Sequence, residues 1–154
     1  METKYAGIFI NAFTTVLESF TTKQVLSAGV NKPESNEISR DISVMIEIVG
    51  DIQGKIYMTM NESTGMIIAS EMLGGMEVTE VDEMVTSAIS ELCNMVLGNA
   101  CQNICTEDIS VDITPPAVVV DDVNTVSNVQ PAYNIIVIIE DFGSVNLNVS
   151  VMSA

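Results

Sequence analysis

The sequence contains no histidine among its 154 residues. Catalytic triads that use histidine, histidine general bases and histidine-containing metal sites are therefore excluded. Basic residues are also scarce, since 5 lysines and arginines stand against 21 aspartates and glutamates and give a formal net charge of −16. Nucleic acid and anionic membrane surfaces would repel such a chain, so neither is expected to be its main partner.

Cysteines and long apolar runs are few as well. Cys93, Cys101 and Cys105 are odd in number and form no C-x-x-C pair, which predicts free thiols rather than a disulfide framework or a zinc ribbon. The longest aliphatic run, 135–139, is too short to span a bilayer, and the N-terminus lacks a signal-peptide pattern. We therefore expect a cytoplasmic protein that holds no metal.

The apolar content nevertheless predicts a folded chain, because Leu, Ile, Val and Phe together number 48. No low-complexity segment or linker divides it, so residues 1–154 are predicted to form a single domain. Residue periodicity and turn signals predict helices to about residue 20, over 62–73 and over about 79–105, and strands over 24–30, 42–48, 52–60, 109–113, 118–120, 133–139 and 145–151. Hairpins interrupted by helices predict an α/β fold of the α+β type, with helices packed on a largely antiparallel sheet. Because residues 135–139 do not alternate, that strand is expected to be covered on both faces.

The longest predicted helix carries two kinds of surface. At about 100° per residue, its apolar residues fall within one arc that we predict to face the core: Val81, Met84, Val85, Ala88, Ile89, Leu92, Val96 and Ala100. Ser87, Glu91, Asn94 and Gly98 form a second stripe, and Cys93 is placed away from the core arc. A polar stripe and an E-x-x-N pattern also occur by chance. However, asparagine and glycine are both poor residues for a helix interior, and their presence on one stripe favours a site that admits a partner.

The segment from Ser87 through Glu91 and Asn94 to Gly98 resembles the signature helix of the CheC/CheX/FliY family of chemotaxis phosphatases. The single copy and the chain length favour the CheX type. Three flanking segments are also similar to the family: 54–60 to its glycine-led strand, 62–74 to the following helix, and 114–120 to its proline-led strand. Either Pro115 or Pro116 could fill the proline position of the signature.

The resemblance implies that the chain dephosphorylates a phosphorylated CheY-like response regulator, in chemotaxis or in related two-component signalling. It implies that Asn94 positions the attacking water, that Glu91 docks on a lysine of the regulator, and that Ser87 and Gly98 lie at the partner surface. An amide suits the first role because it can donate and accept hydrogen bonds while staying neutral beside a phosphoryl group. Mg²⁺ is expected on the regulator, with no cofactor in this chain, and a homodimer is implied.

Two alternatives stay open. The chain could be a non-catalytic adaptor that binds a receiver domain without hydrolysing its phosphate, or a dimerisation module with no receiver partner. The lifetime of the regulator's phosphate with and without this protein separates the first alternative from catalysis. Absence of any interaction with a receiver domain would identify the second.

Overall fold

A computed structural model describes residues 5–31, 41–119 and 133–153 of the chain. These residues form three helices and seven strands, joined by turns and loops. The helices are α1 (Ala6–Glu18), α2 (Glu62–Met72) and α3 (Glu83–Ile104). The strands are β1 (Val25–Asn31), β2 (Ile42–Gly50), β3 (Ile52–Met60), β4 (Val111–Ile113), β5 (Ala117–Val119), β6 (Tyr133–Ile139) and β7 (Gly143–Ser153). The predicted α+β fold, with helices on an antiparallel sheet, is confirmed. Its extension as one domain to both ends of the chain stays a prediction.

All described strand pairs are antiparallel, in the order β1-β6-β7-β3-β2-β4, and β5 also pairs with β2. Consecutive strands form the predicted hairpins β2–β3 and β6–β7. The first hairpin turns at Gly50, whose φ of +114° is readily adopted only by glycine. The pairings β1–β6 and β3–β7 join segments that are far apart in sequence, and they set the order of the sheet.

One face of the sheet is apolar and forms the core together with the helices. Buried side chains on this face include Val44, Ile46, Ile56, Met58, Ile135, Val137, Val145 and Leu147. The two-residue period of a strand places polar residues on the other face, including Glu47, Lys55, Asn134, Asn146 and Asn148. All three helices contribute buried residues to the core cluster, so the helical layer lies on the apolar face.

The helix α3 is the centre of this helical layer. It packs against α1, against α2 and against the strands β2 and β4. Its buried residues are Val85, Ala88, Ile89, Leu92, Cys93, Val96, Leu97, Ala100, Cys101 and Ile104. With α1, α2 and the sheet packed against it, α3 keeps one side uncovered by the residues that the structure describes.

Several predicted boundaries shift by a few residues. α3 begins at Glu83 rather than near residue 79, because Asp82 caps the helix by accepting a hydrogen bond of 3.0 Å from the Val85 amide. The expectation that β6 is covered on both faces is wrong at Ile138, which is 42% exposed on the polar face. The end of the predicted strand 118–120 lies outside the described residues. Within the described ranges, no helix is both long and apolar enough to cross a membrane.

Candidate functional site

The candidate site lies on α3, whose start is well defined by its sequence. Asp82 is the N-cap, and Glu83 follows in the first turn, where the positive end of the helix dipole stabilises acidic side chains. From there the helix continues for 22 residues without a break, which corresponds to about 33 Å. Because the helix is continuous and packs against α1, α2 and the sheet, the backbone positions on its open side are fixed relative to one another.

The structure brings all four predicted site residues to the open side of α3. We call Ser87, Glu91, Asn94 and Gly98 the open strip. Ser87 and Glu91 are exposed, and Asn94 and Gly98 are half-buried. Residues 91 and 94 are separated by about 4.5 Å along the helix axis and lie on neighbouring positions of its surface. A carboxylate and an amide therefore stand side by side on a surface that a partner can reach.

The side chains of this pair define what the strip can do. The amide of Asn94 can donate and accept hydrogen bonds at once, whereas an ionised carboxylate at Glu91 only accepts them. A carboxylate can act as a nucleophile or a general base where a site activates it, whereas an amide does neither. What the two groups share is the ability to orient water or the polar groups of a partner through hydrogen bonds.

Gly98 leaves the backbone of α3 bare on the strip. A Cβ atom added there would meet nothing within 4 Å in the chain, although glycine costs a helix interior about 1 kcal/mol relative to alanine. Gly65 in α2 is different, because an added Cβ would collide with the side chain of Ile42. Packing within the chain explains the glycine at 65 but does not explain the one at 98.

Two residues of α3 lie on the opposite side from the one that we predicted. Cys93, placed away from the core, is fully buried, and Met84, placed in the core arc, is 48% exposed. The buried arc is turned by roughly 60° relative to the predicted one. α3 packs against α1 and α2 as well as against the sheet, and Cys93 and Leu97 are buried in the core cluster while Met84 is left outside it.

The cysteines are suited to packing rather than to chemistry at the strip. Burial raises the pKa of the Cys93 thiol to about 12, and burial is also the main reason why the pKa of Cys101 rises to about 11. Cys105 is exposed at the end of α3. In the part of the chain that the structure describes, no three cysteine, aspartate or glutamate side chains cluster as a metal ion would require.

The N-terminal end of the strip is acidic. Glu80, Asp82 and Glu83 are exposed around the start of α3. The two lysines among the described residues lie elsewhere, Lys23 in a 2.6 Å ion pair with Asp141 and Lys55 4.0 Å from Glu47. A cationic group of a partner would therefore be attracted to this end of the strip.

The two candidate prolines lie at the entrance to β5. Pro115 is exposed and Pro116 is half-buried, and both precede the strand pair that β5 forms with β2. Just before them, Thr114 exchanges two hydrogen bonds of 3.0 Å with the backbone of Glu47. This position fits a role in starting the strand, and which proline fills the signature position stays open.

Comparison with known proteins identifies the family. The family model described as chemotaxis phosphatase CheX matches residues 42–140, which include α3 with its whole open strip. The chain belongs to the CheX family. A CheX protein of Thermotoga maritima, named CheY-P phosphatase CheX, is 39% identical over 83 residues, or 54% of each of the two chains. The matched segment thus spans about half the length of that relative.

Solved CheX structures share the fold over nearly the whole chain. The CheX–CheY–BeF3–Mg²⁺ complex from Borrelia burgdorferi matches with a TM-score of 0.81 and 22% identity, covering 97% of this chain and 99% of that chain. CheX from Desulfovibrio desulfuricans matches with a TM-score of 0.79 and 19% identity, covering 98% and 99%. At these identities the likeness concerns the fold, and the roles of Glu91 and Asn94 stay predictions.

Proposed function

We propose that this CheX-family chain hydrolyses the aspartyl phosphate of a CheY-like response regulator, in chemotaxis or in a related two-component pathway of the cytoplasm. The observation that carries the proposal is that Glu91 and Asn94 lie side by side on the open strip of a helix that the family model matches. Support also comes from the relatives. The Thermotoga maritima protein is named a CheY-P phosphatase, and the Borrelia burgdorferi protein was crystallised with CheY.

The proposed reaction needs little covalent chemistry from this chain. Water attacks phosphorus, the bond between phosphorus and the aspartyl oxygen breaks, and the products are a free aspartate carboxylate and inorganic phosphate that carries both protons of the water. Because the aspartate carboxylate is already a good leaving group, the phosphatase contributes by positioning. Asn94 reaches the phosphorylated site from the strip and holds the water in line, accepting from the water with its carbonyl oxygen.

Asn94 suits this position better than a carboxylate would. A second anion beside the phosphoryl group would repel it, whereas the amide is neutral and still offers both hydrogen-bonding functions. Its half-buried environment reduces the number of side-chain arrangements that must be restricted when the complex forms. In this scheme Asn94 is the residue that acts on the reacting water.

Glu91 would dock on a lysine of the regulator and set the position of Asn94. An ion pair that loses solvent at an interface fixes the relative orientation of two molecules and discriminates against partners that lack the cation. Ser87 and Gly98 would lie at the same surface, one on each side of the pair. Mg²⁺ is assigned to the regulator and no cofactor to this chain, and the homodimer implied by the family resemblance stays a prediction.

The lifetime of the regulator's phosphate tests this proposal. Receiver domains encoded in the same genome are phosphorylated with a small-molecule phosphodonor, and the decay of phosphate is followed with and without the protein. We expect catalytic acceleration for at least one CheY-like regulator. Tight binding without acceleration would replace the proposal with the adaptor function, and no binding to any receiver domain would remove both.

A further inference from the structure

Met84 is an apolar residue that lies on the open side of α3 with the polar site residues. It precedes Ser87 by three residues, Glu91 by seven and Asn94 by ten, and these spacings keep side chains on one side of a helix. By helical geometry its direction differs from that of Glu91 by only about 20°. The side chain is 48% exposed and lies outside the buried core cluster. Its apolar neighbours Val81 and Met95, in contrast, are partly buried and pack against the core.

We propose that Met84 is a docking contact for the response regulator, on which an apolar side chain of the receiver domain packs. This inference rests on the proposed function, since it names a further part of the same interface. Along α3, Met84 lies about 13 Å from the midpoint of Glu91 and Asn94. A weak signalling interface of roughly 600 Å² on each partner extends about 14 Å from its centre. A receiver domain centred on the pair therefore covers Met84.

The residue type fits this role. Methionine has a flexible, polarisable side chain that adapts to the shape of an opposing apolar surface. Because Met84 is far from the phosphoryl group, its contact is the same before and during hydrolysis. Such uniform binding affects KM and Kd but not kcat. Met84 would thus select regulators by the side chain that they present opposite it, whereas Asn94 serves the reaction itself.

Kinetic separation of binding from turnover tests the inference. Met84→Ala and Met84→Glu are compared with Val49→Ala and Val49→Glu, since Val49 is 39% exposed and lies on the polar face of the sheet, away from α3. For each variant, kcat and KM are measured with phosphorylated regulator, and Kd with the beryllofluoride-activated regulator. We expect Met84→Ala to raise KM and Kd about threefold to tenfold, Met84→Glu to raise them more, and kcat to stay within about twofold.

The possible outcomes separate this inference from the proposed function. If the wild type is active and neither Met84 variant changes KM or Kd, the docking contact is wrong and the phosphatase function stands. If the wild type binds regulator without hydrolysing it, the phosphatase function is wrong and Kd alone decides the role of Met84. A wild type that neither binds nor hydrolyses overturns both.

An altered oligomeric state with unchanged Kd would assign Met84 to a contact between copies, which also overturns the inference. Thermal melts identify a variant that fails to fold. If Met84→Glu fails to fold, the KM and Kd of Met84→Ala decide whether the docking contact exists.

Discussion

The two sides of α3 are built from residues that alternate along the chain but are subject to different physical demands. On the buried side, Leu92, Cys93 and Val96 are fully buried in the core cluster. On the open side, Glu91 and Asn94 are interspersed with these residues in sequence and face solvent to different degrees. The residue types on the buried side are constrained by packing. On the open side, asparagine and glycine lower the stability of the helix, and packing within the chain does not explain the glycine. Substitutions on the two sides should therefore separate stability from function, and the expected effects are given below from the largest to the smallest.

The largest contrast concerns thiol reactivity. Burial raises the pKa of Cys93 to about 12, so at pH 8 its thiolate fraction is on the order of 10⁻⁴, while Cys105 is exposed. We expect alkylation of native Cys93 to be at least about a thousandfold slower than that of Cys105, with equal rates in denaturant. Peptide mass spectrometry after timed labelling measures this ratio. Rapid labelling of Cys93 in the folded protein would contradict the buried side as described.

Truncation of the buried side should cost stability. Leu92→Ala leaves a cavity in a fully buried position, and we expect the free energy of unfolding to fall by about 3 kcal/mol. Its neighbour supplies the control, because Glu91→Ala removes an exposed side chain and should change this free energy by less than about 0.5 kcal/mol. Urea denaturation measures both. Similar losses for the two variants would mean that the boundary between the sides is wrong.

Truncation of the open side should instead cost catalysis. We expect Asn94→Ala to lower kcat on the order of a hundredfold, since it removes the group that orients the water. Stability should not fall, because alanine is the better helix former. Asn103→Ala is the matched control: it removes an exposed amide from the same helix, about 180° away. Regulator dephosphorylation at the wild-type rate by Asn94→Ala would disprove the proposed role.

Reversal of charge at Glu91 should weaken the complex. We expect Glu91→Ala to raise Kd for the regulator several-fold and Glu91→Lys to raise it about tenfold or more, since the latter places two cations together. Glu107→Lys makes the same change in net charge at an exposed position beyond α3 and controls for long-range electrostatics. Isothermal titration with activated regulator measures Kd. Equal Kd values for the two lysine variants would remove Glu91 from the interface.

The smallest effects are expected at Gly98, where alanine should stabilise the fold but weaken binding of the regulator. Gly98→Ala should raise the free energy of unfolding by about 0.5–1 kcal/mol, because the added Cβ meets nothing in the chain. The same Cβ should raise KM a few-fold if the regulator approaches the bare backbone. Gly7→Ala in α1, where an added Cβ also meets nothing within 4 Å, should leave KM unchanged. A Gly98→Ala protein with unchanged KM would show that no partner needs this glycine.

Local sequence patterns were sufficient for most elements and for the composition of the strip. Alternation over 42–48 and 52–60, with a glycine turn between them, predicted the β2–β3 hairpin because a strand's two faces repeat every second residue. Helical spacing likewise brought Ser87, Glu91, Asn94 and Gly98 to one side of α3, since residues three, four and seven apart share a side whatever surrounds the helix. The structure confirms both arrangements.

The sequence by itself therefore determined which residues share a strand face or a helix side, because those relations follow from the geometry of a single element. It did not determine what each side faces. The order β1-β6-β7-β3-β2-β4 depends on pairings between distant segments, and the coverage of α3 depends on where α1 and α2 pack. Only the tertiary structure could bury Cys93, expose Met84 and leave Ile138 open, because burial is a property of the neighbouring elements and not of the residue's own helix or strand.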